Sequence, residues 1–81
     1  MKNKLREMTL ERKRAHKKLT EMDSKVYSAF LDMEKAAYGD GHLAGKYKEL
    51  IAIGISVVID CESCMQWHIE QAAAKGATAE E

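Results

Sequence analysis

The sequence predicts an all-α protein, a small bundle of helices. Three observations carry that expectation. There is no proline, no stretch alternates apolar and polar residues as a half-buried strand does, and glycine falls only at punctuation points or inside one apolar run. At 81 residues the chain has the length of one small domain.

Four helices follow in order. The first, about residues 3 to 21, spaces Leu5, Met8, Ala15, Leu19 and Met22 by three, four or seven, a thin apolar stripe on a charged rod. Such a stripe is marginal alone and must lie on the next segments or on a partner. Asp23 or Ser24 is the expected N-cap of a second helix. Its Val26, Tyr27, Phe30, Leu31, Met33, Ala37 and Tyr38 form a broad face, which reads as a core helix closed by Gly39-Asp40-Gly41. The third runs between Gly45 and Asp60, with Leu50 to Ile59 apolar on nearly every side. Its β-branched residues also suit a strand, but Lys46 to Ile59 is long for one and lacks turn signals. A helix apolar all round needs cover that a chain this short does not supply, so self-association is expected. Asp60 is the expected cap of a fourth helix, Cys61 to about Lys75, stopped by Gly76. Beyond it, Thr78-Ala-Glu-Glu81 has the form of a capping box, the start of a further helix, so a truncated polypeptide is expected.

Charge and composition exclude several classes. No run of about 18 apolar residues exists to span a bilayer, so no membrane partner is expected. Charged residues continue past Lys2 and Lys4 where a signal peptide needs its apolar segment, so the expected location is cytoplasmic. Thirteen basic residues balance thirteen acidic ones, which argues against a dedicated nucleic-acid binder. The balance hides an asymmetry: residues 1 to 18 carry eight Lys or Arg against Glu7 and Glu11, leaving +6 there and −6 over the rest. The segment 1–22 therefore reads as a basic helical extension with a solvated charged face. No aromatic residue interleaves with its charges as base stacking favours.

The chemistry concentrates in Cys61-Glu62-Ser63-Cys64 and His68. At 100° per residue, Cys64 lies about 60° from Cys61 and His68 about 40° from Cys64, so all three share one helix stripe. In the first turn, unpaired N–H groups and the helix dipole favour thiolate, Asp60 and Glu62 oppose it, and His68 is placed to act as base. Two thiols a turn apart suit a redox cycle, because the sulfenic acid left by a peroxide is converted to a disulfide by the second thiol. The rival is a zinc site of Cys61, Cys64 and His68, with a fourth ligand from Glu49, His42 or a partner chain. A third reading keeps the thiols inert and makes the chain an interaction domain docking through its basic helix.

Glu49-x11-Cys61-x2-Cys64-x3-His68, set in Lys-Glu-Leu-Ile-Ala-Ile-Gly-Ile-Ser and followed by Ala-Ala-Ala-Lys-Gly-Ala-Thr-Ala-Glu-Glu, resembles the carboxymuconolactone decarboxylase superfamily. Within it the chain looks like the alkylhydroperoxidase D branch, over roughly residues 23 to 81. The decarboxylases proper lack the cysteine pair. The resemblance implies an all-helical fold, trimers or hexamers, and a thiol pair that reduces hydroperoxides and is recharged by a dithiol donor such as a lipoyl-bearing protein. No cofactor is implied. Carried over by position, Cys64 is the thiol oxidised by peroxide, Cys61 the resolving partner, and Glu49 with His68 a proton relay. Ser63 departs from the best-known members, which carry histidine before the second cysteine, and fits a weaker peroxidase or a general disulfide reductase. Those members also continue with further helices.

The other residues are read as structural. Trp67 is a packing anchor, and Tyr38 and Tyr47 are core or interface residues. The methionines Met8, Met22, Met33 and Met65 fill gaps, and His16 and His42 receive no role.

Overall fold

The computed structural model describes residues 2–81, with side chains from residue 4 onward. Among them are four helices, α1 (Lys2–Glu21), α2 (Lys25–Tyr38), α3 (Gly45–Val58) and α4 (Glu62–Ala74), and no strand. None of these helices is long and apolar enough to cross a membrane. The chain divides into two compact units, one ending at Ala37 and the other running from Tyr38 to Glu81.

In the first unit, α1 is closed by Asp23, whose backbone is left-handed at φ 53° and whose N–H donates to the Thr20 carbonyl. Of the two expected caps for α2, Ser24 takes the role. Its Oγ accepts the Tyr27 N–H at 3.1 Å, while Asp23 serves the preceding helix. His16 Nδ1 and Tyr27 Oη lie 2.6 Å apart with their rings edge to face. The reading of α2 as a core helix is corrected here, since none of its residues is buried. The cause is supply: α1 carries its basic residues on most sides and offers no broad apolar surface to cover Val26, Phe30 and Met33.

In the second unit α3 packs on α4. The buried stripe of α3 is Gly45, Glu49, Ala52 and Ser56, spaced by four, three and four, and it meets Ala72 of α4. Small side chains let two helices approach closely, and Ser56 meets its own hydrogen-bonding need at the Ala52 carbonyl, 2.7 Å away. Leu50 and Ile53 are half-buried, and the other large aliphatic residues of α3 are exposed. Ile51, Ile55 and Val58 are 55%, 57% and 85% exposed, one stripe with Gly54 at helical spacing.

Two features shape the ends of this hairpin. Asp60, left-handed at φ 55°, donates its N–H to the Val57 carbonyl while Cys61 N–H reaches back to Ser56, a Schellman closure of α3. The same pattern ends α4, with Gly76 at φ 95°, Gly76 N–H to Ala73 and Ala77 N–H to Ala72. Asp60 is therefore not the cap of α4, contrary to the sequence reading. Aspartate is both a common N-cap and one of the few residues that tolerate the left-handed region, and here the second property prevails.

Beyond Gly76 the capping-box hydrogen bonds form: Thr78 N–H to Glu81 Oε1 at 2.9 Å and Glu81 N–H to Thr78 Oγ1 at 3.3 Å. Lys46 Nζ holds both Glu81 oxygens, at 3.1 and 3.0 Å. The hydrogen bond to Glu81 holds the Lys46 ammonium above the usual lysine range. The Thr78 amide, then Lys46, holds the Glu81 carboxyl below the usual carboxylate range.

Candidate active site

Cys61 is the N-cap of α4, and its sulfur accepts the Cys64 N–H at 3.2 Å. The two cysteines are joined as a disulfide, Cα to Cα 5.2 Å, both half-buried. Ser63 Oγ approaches Cys61 Sγ at 3.6 Å. An acceptor at this position satisfies one of the free N–H groups of the first turn, so a thiolate on Cys61 would have both a donor and the positive end of the helix dipole. The exposed Val57, Val58 and Ile59 lead into this turn from α3.

His68 lies one turn beyond Cys64, about 6 Å along the α4 axis. Its Nδ1 is 2.6 Å from Oε1 of Glu49, a residue only 2% exposed on the facing helix. A carboxylate only accepts, so Nδ1 carries the proton in this contact and Nε2 is the nitrogen able to take one. The Tyr38 ring lies against the imidazole with centroids 5.3 Å apart.

The second oxygen of Glu49 is taken by Lys75. Its Nζ is 2.6 Å from Oε2 and 3.0 Å from the Tyr38 carbonyl, with the Tyr38 ring 5.7 Å below. Sequence reasoning missed this lysine as part of the site. The one signal available was a basic residue in the last turn before Gly76, which any helix end accommodates. Lys48 Nζ closes the neighbouring Gly39 carbonyl at 2.7 Å, so two lysines hold the successive carbonyls that open the second unit.

Of the residues singled out in the sequence, Cys61 and Cys64 are joined, and Glu49 and His68 meet across α3 and α4. His42 is exposed in the loop before α3, and no group of three or more His, Cys, Asp or Glu among the described residues is arranged to hold a metal ion. In this arrangement the sulfurs are bound to each other, and Glu49 is held by His68 and Lys75.

The sequence profile described as the carboxymuconolactone decarboxylase family matches residues 24–81, most of the chain. The chain belongs to the carboxymuconolactone decarboxylase family. It is similar to uncharacterized protein 4 of the cox locus of Paracoccus denitrificans, 36% identical over 56 residues, covering 69% of this chain and 50% of that protein. It is also similar to an uncharacterized protein of Cupriavidus necator, 43% identical over 54 residues, covering 67% of this chain and 48% of that one. The chain thus spans about half the length of the curated relatives it matches. No solved structure matches it. The family region begins inside the first compact unit and takes in the whole hairpin that holds Glu49, the cysteine pair and His68.

Proposed function

We propose that this family member is a dithiol oxidoreductase of the alkylhydroperoxidase D type that reduces hydroperoxides through Cys61 and Cys64. The observation that carries the reading is the cysteine pair in bonding contact at the N-terminus of α4, one turn from a histidine oriented by a buried carboxylate. In the dithiol state His68 Nε2 takes the proton of the Cys64 thiol. The thiolate attacks the outer oxygen of the hydroperoxide, the O–O bond breaks, and the alkoxide leaves as alcohol with the proton returned by His68. Cys61 then attacks the sulfenic sulfur, hydroxide leaves with a proton as water, and the disulfide forms.

The cycle closes when a dithiol donor, such as a lipoyl-bearing protein in a reducing cytoplasm, transfers two electrons and two protons. Its thiolate attacks Cys64 and displaces Cys61 as thiolate, a leaving group stabilised by the Cys64 N–H and the helix dipole. The outward aliphatic stripe of α3 supports a self-associated state, a trimer or hexamer. Sedimentation equilibrium returning only a compact monomer at micromolar concentration would exclude that part.

The test is to reduce the protein, add a modest excess of organic hydroperoxide, and follow intact mass and free thiols over minutes. Loss of both thiols to an intramolecular disulfide, faster than oxidation of free dithiothreitol and absent in Cys64→Ser, is the expected result. Full peroxide reduction by both Cys61→Ser and Cys64→Ser overturns the reading.

A further inference from the structure

We propose that Lys75 is a positioning residue of the site: by neutralising the second oxygen of Glu49 it fixes how strongly Glu49 holds a proton on His68. The inference rests on the proposed function only for its use, since the geometry stands without it.

Four observations build the lysine into the site. Its backbone is pinned, because Lys75 is the C-cap of α4 and its N–H is shared by the Gln71 and Ala72 carbonyls just before the left-handed Gly76. Its stem runs over Gly45, where an added Cβ would stand 3.2 Å from Lys75 Cδ and 2.7 Å from the Tyr38 carbonyl. Its ammonium is held by the Tyr38 carbonyl and the Glu49 carboxylate together. Its side chain is 31% exposed against 3% for the Glu49 side chain, so a partly solvated cation meets a carboxylate that is itself buried.

The recorded partners around His68 are Glu49 from α3 and the Tyr38 ring; Lys75, the C-cap of α4, holds the other Glu49 oxygen and the Tyr38 carbonyl, and Lys48 of α3 holds the adjoining Gly39 carbonyl. Glu49 joins His68 and Lys75 through its two oxygens, so the two bases compete for one negative charge. With Lys75 in place the imidazole faces a carboxylate that already has a counter-charge. Without it, the buried carboxylate's remaining cation is an imidazolium, and Nε2 stays occupied by a proton to higher pH. Direct action on the cysteines is small, since Lys75 lies eleven residues and about 16 Å along the helix from Cys64. The influence must pass through Glu49 and His68.

The experiment follows the His68 ring resonances by NMR against pH in the disulfide form of the full chain, where neither cysteine titrates. His16 and His42 serve as internal references. Lys75→Met is expected to shift the His68 titration to higher pH, Lys75→Arg to restore it, and the shift to vanish when Lys75→Met is compared with its parent in a Glu49→Gln background. The proposal is overturned by a folded Lys75→Met with an unmoved His68 titration. It is equally overturned by a shift that Lys75→Arg fails to restore, or by one that persists with Glu49→Gln. If Lys75→Met alone loses its helical signal, the Glu49→Gln pair carries the comparison: matching titrations support transmission through Glu49, and a difference overturns it. None of these readouts needs peroxide turnover, so inert thiols would sink the proposed function and leave this result standing.

Discussion

Glu49 and His68, nineteen residues apart in sequence, meet at 2.6 Å between two helices whose other fully buried residues are glycine, alanine and serine. A carboxylate placed where a leucine would pack more cheaply has to be satisfied on both oxygens, and it is, by His68 and Lys75.

Glu49→Gln removes the negative charge and leaves Lys75 and His68 with a neutral partner. Since both are partly solvated, the expected loss is on the order of 1–3 kcal/mol, below that of a fully buried ion pair. Urea denaturation of the two proteins at matched concentration measures it.

Gly45 and Gly54 should answer alanine in opposite directions. At Gly45 the new Cβ meets the Tyr38 carbonyl at 2.7 Å and must push apart the loop and the Lys75 stem, so a loss of about 1–3 kcal/mol is expected. At Gly54 it meets nothing within 4 Å, and removing a mid-helix glycine gains roughly 0.5–1 kcal/mol. Thermal melts of both variants decide the matter, and equal effects would contradict the geometry.

Asp60 carries a left-handed backbone that joins α3 to the cysteine turn. Asp60→Gly should be neutral or mildly stabilising, whereas the β-branched Asp60→Val should cost about 1–2 kcal/mol. Because Cys61 follows directly, Asp60→Val should also slow disulfide closure, read as the rate of free-thiol loss under a fixed oxidant.

The Lys46–Glu81 contact sets a pH window for the tail. Glu81 is held below the ordinary carboxylate value, so its contribution is present above the unfolded value of 4.5 and is lost as pH falls through the lower folded value. Lys46 is held above 10.5, so its contribution is complete below that pH and is lost as pH rises through the higher folded value. Amide exchange of Thr78 and Glu81 should therefore lose protection, relative to the intrinsic rate, as pH is lowered below about 4.5. Lys46→Ala should show the weaker protection throughout.

Much of this fold was legible in the residues because helices announce themselves through spacing and punctuation. Gly76 and Ser24 fall at the ends they were expected to mark, and the apolar run of α3 proved helical. Two things were not legible. Spacing gives the faces of α3 but not which one turns inward, and hydrophobicity alone would bury Ile51 and Ile55, whereas the stripe through Glu49 is the one that meets α4. Lys75 was hidden because its partners stand 26 and 37 residues away, and a lysine before a terminal glycine has a sufficient local explanation. The cysteine turn was read one residue early, since Asp60 satisfies the composition rules for both roles at that junction.

The inward stripe of α3 also has a thermodynamic consequence. Closing a hairpin over Gly45, Glu49, Ala52 and Ser56 removes little hydrocarbon from water, so opening it returns little. A single chain should therefore unfold with a shallow denaturant slope and a small heat-capacity increment for its length. The quantity that would steepen both is the cover placed over Ile51, Ile55 and Val58, which makes the sharpness of unfolding, more than its midpoint, the gauge of whether that face is occupied.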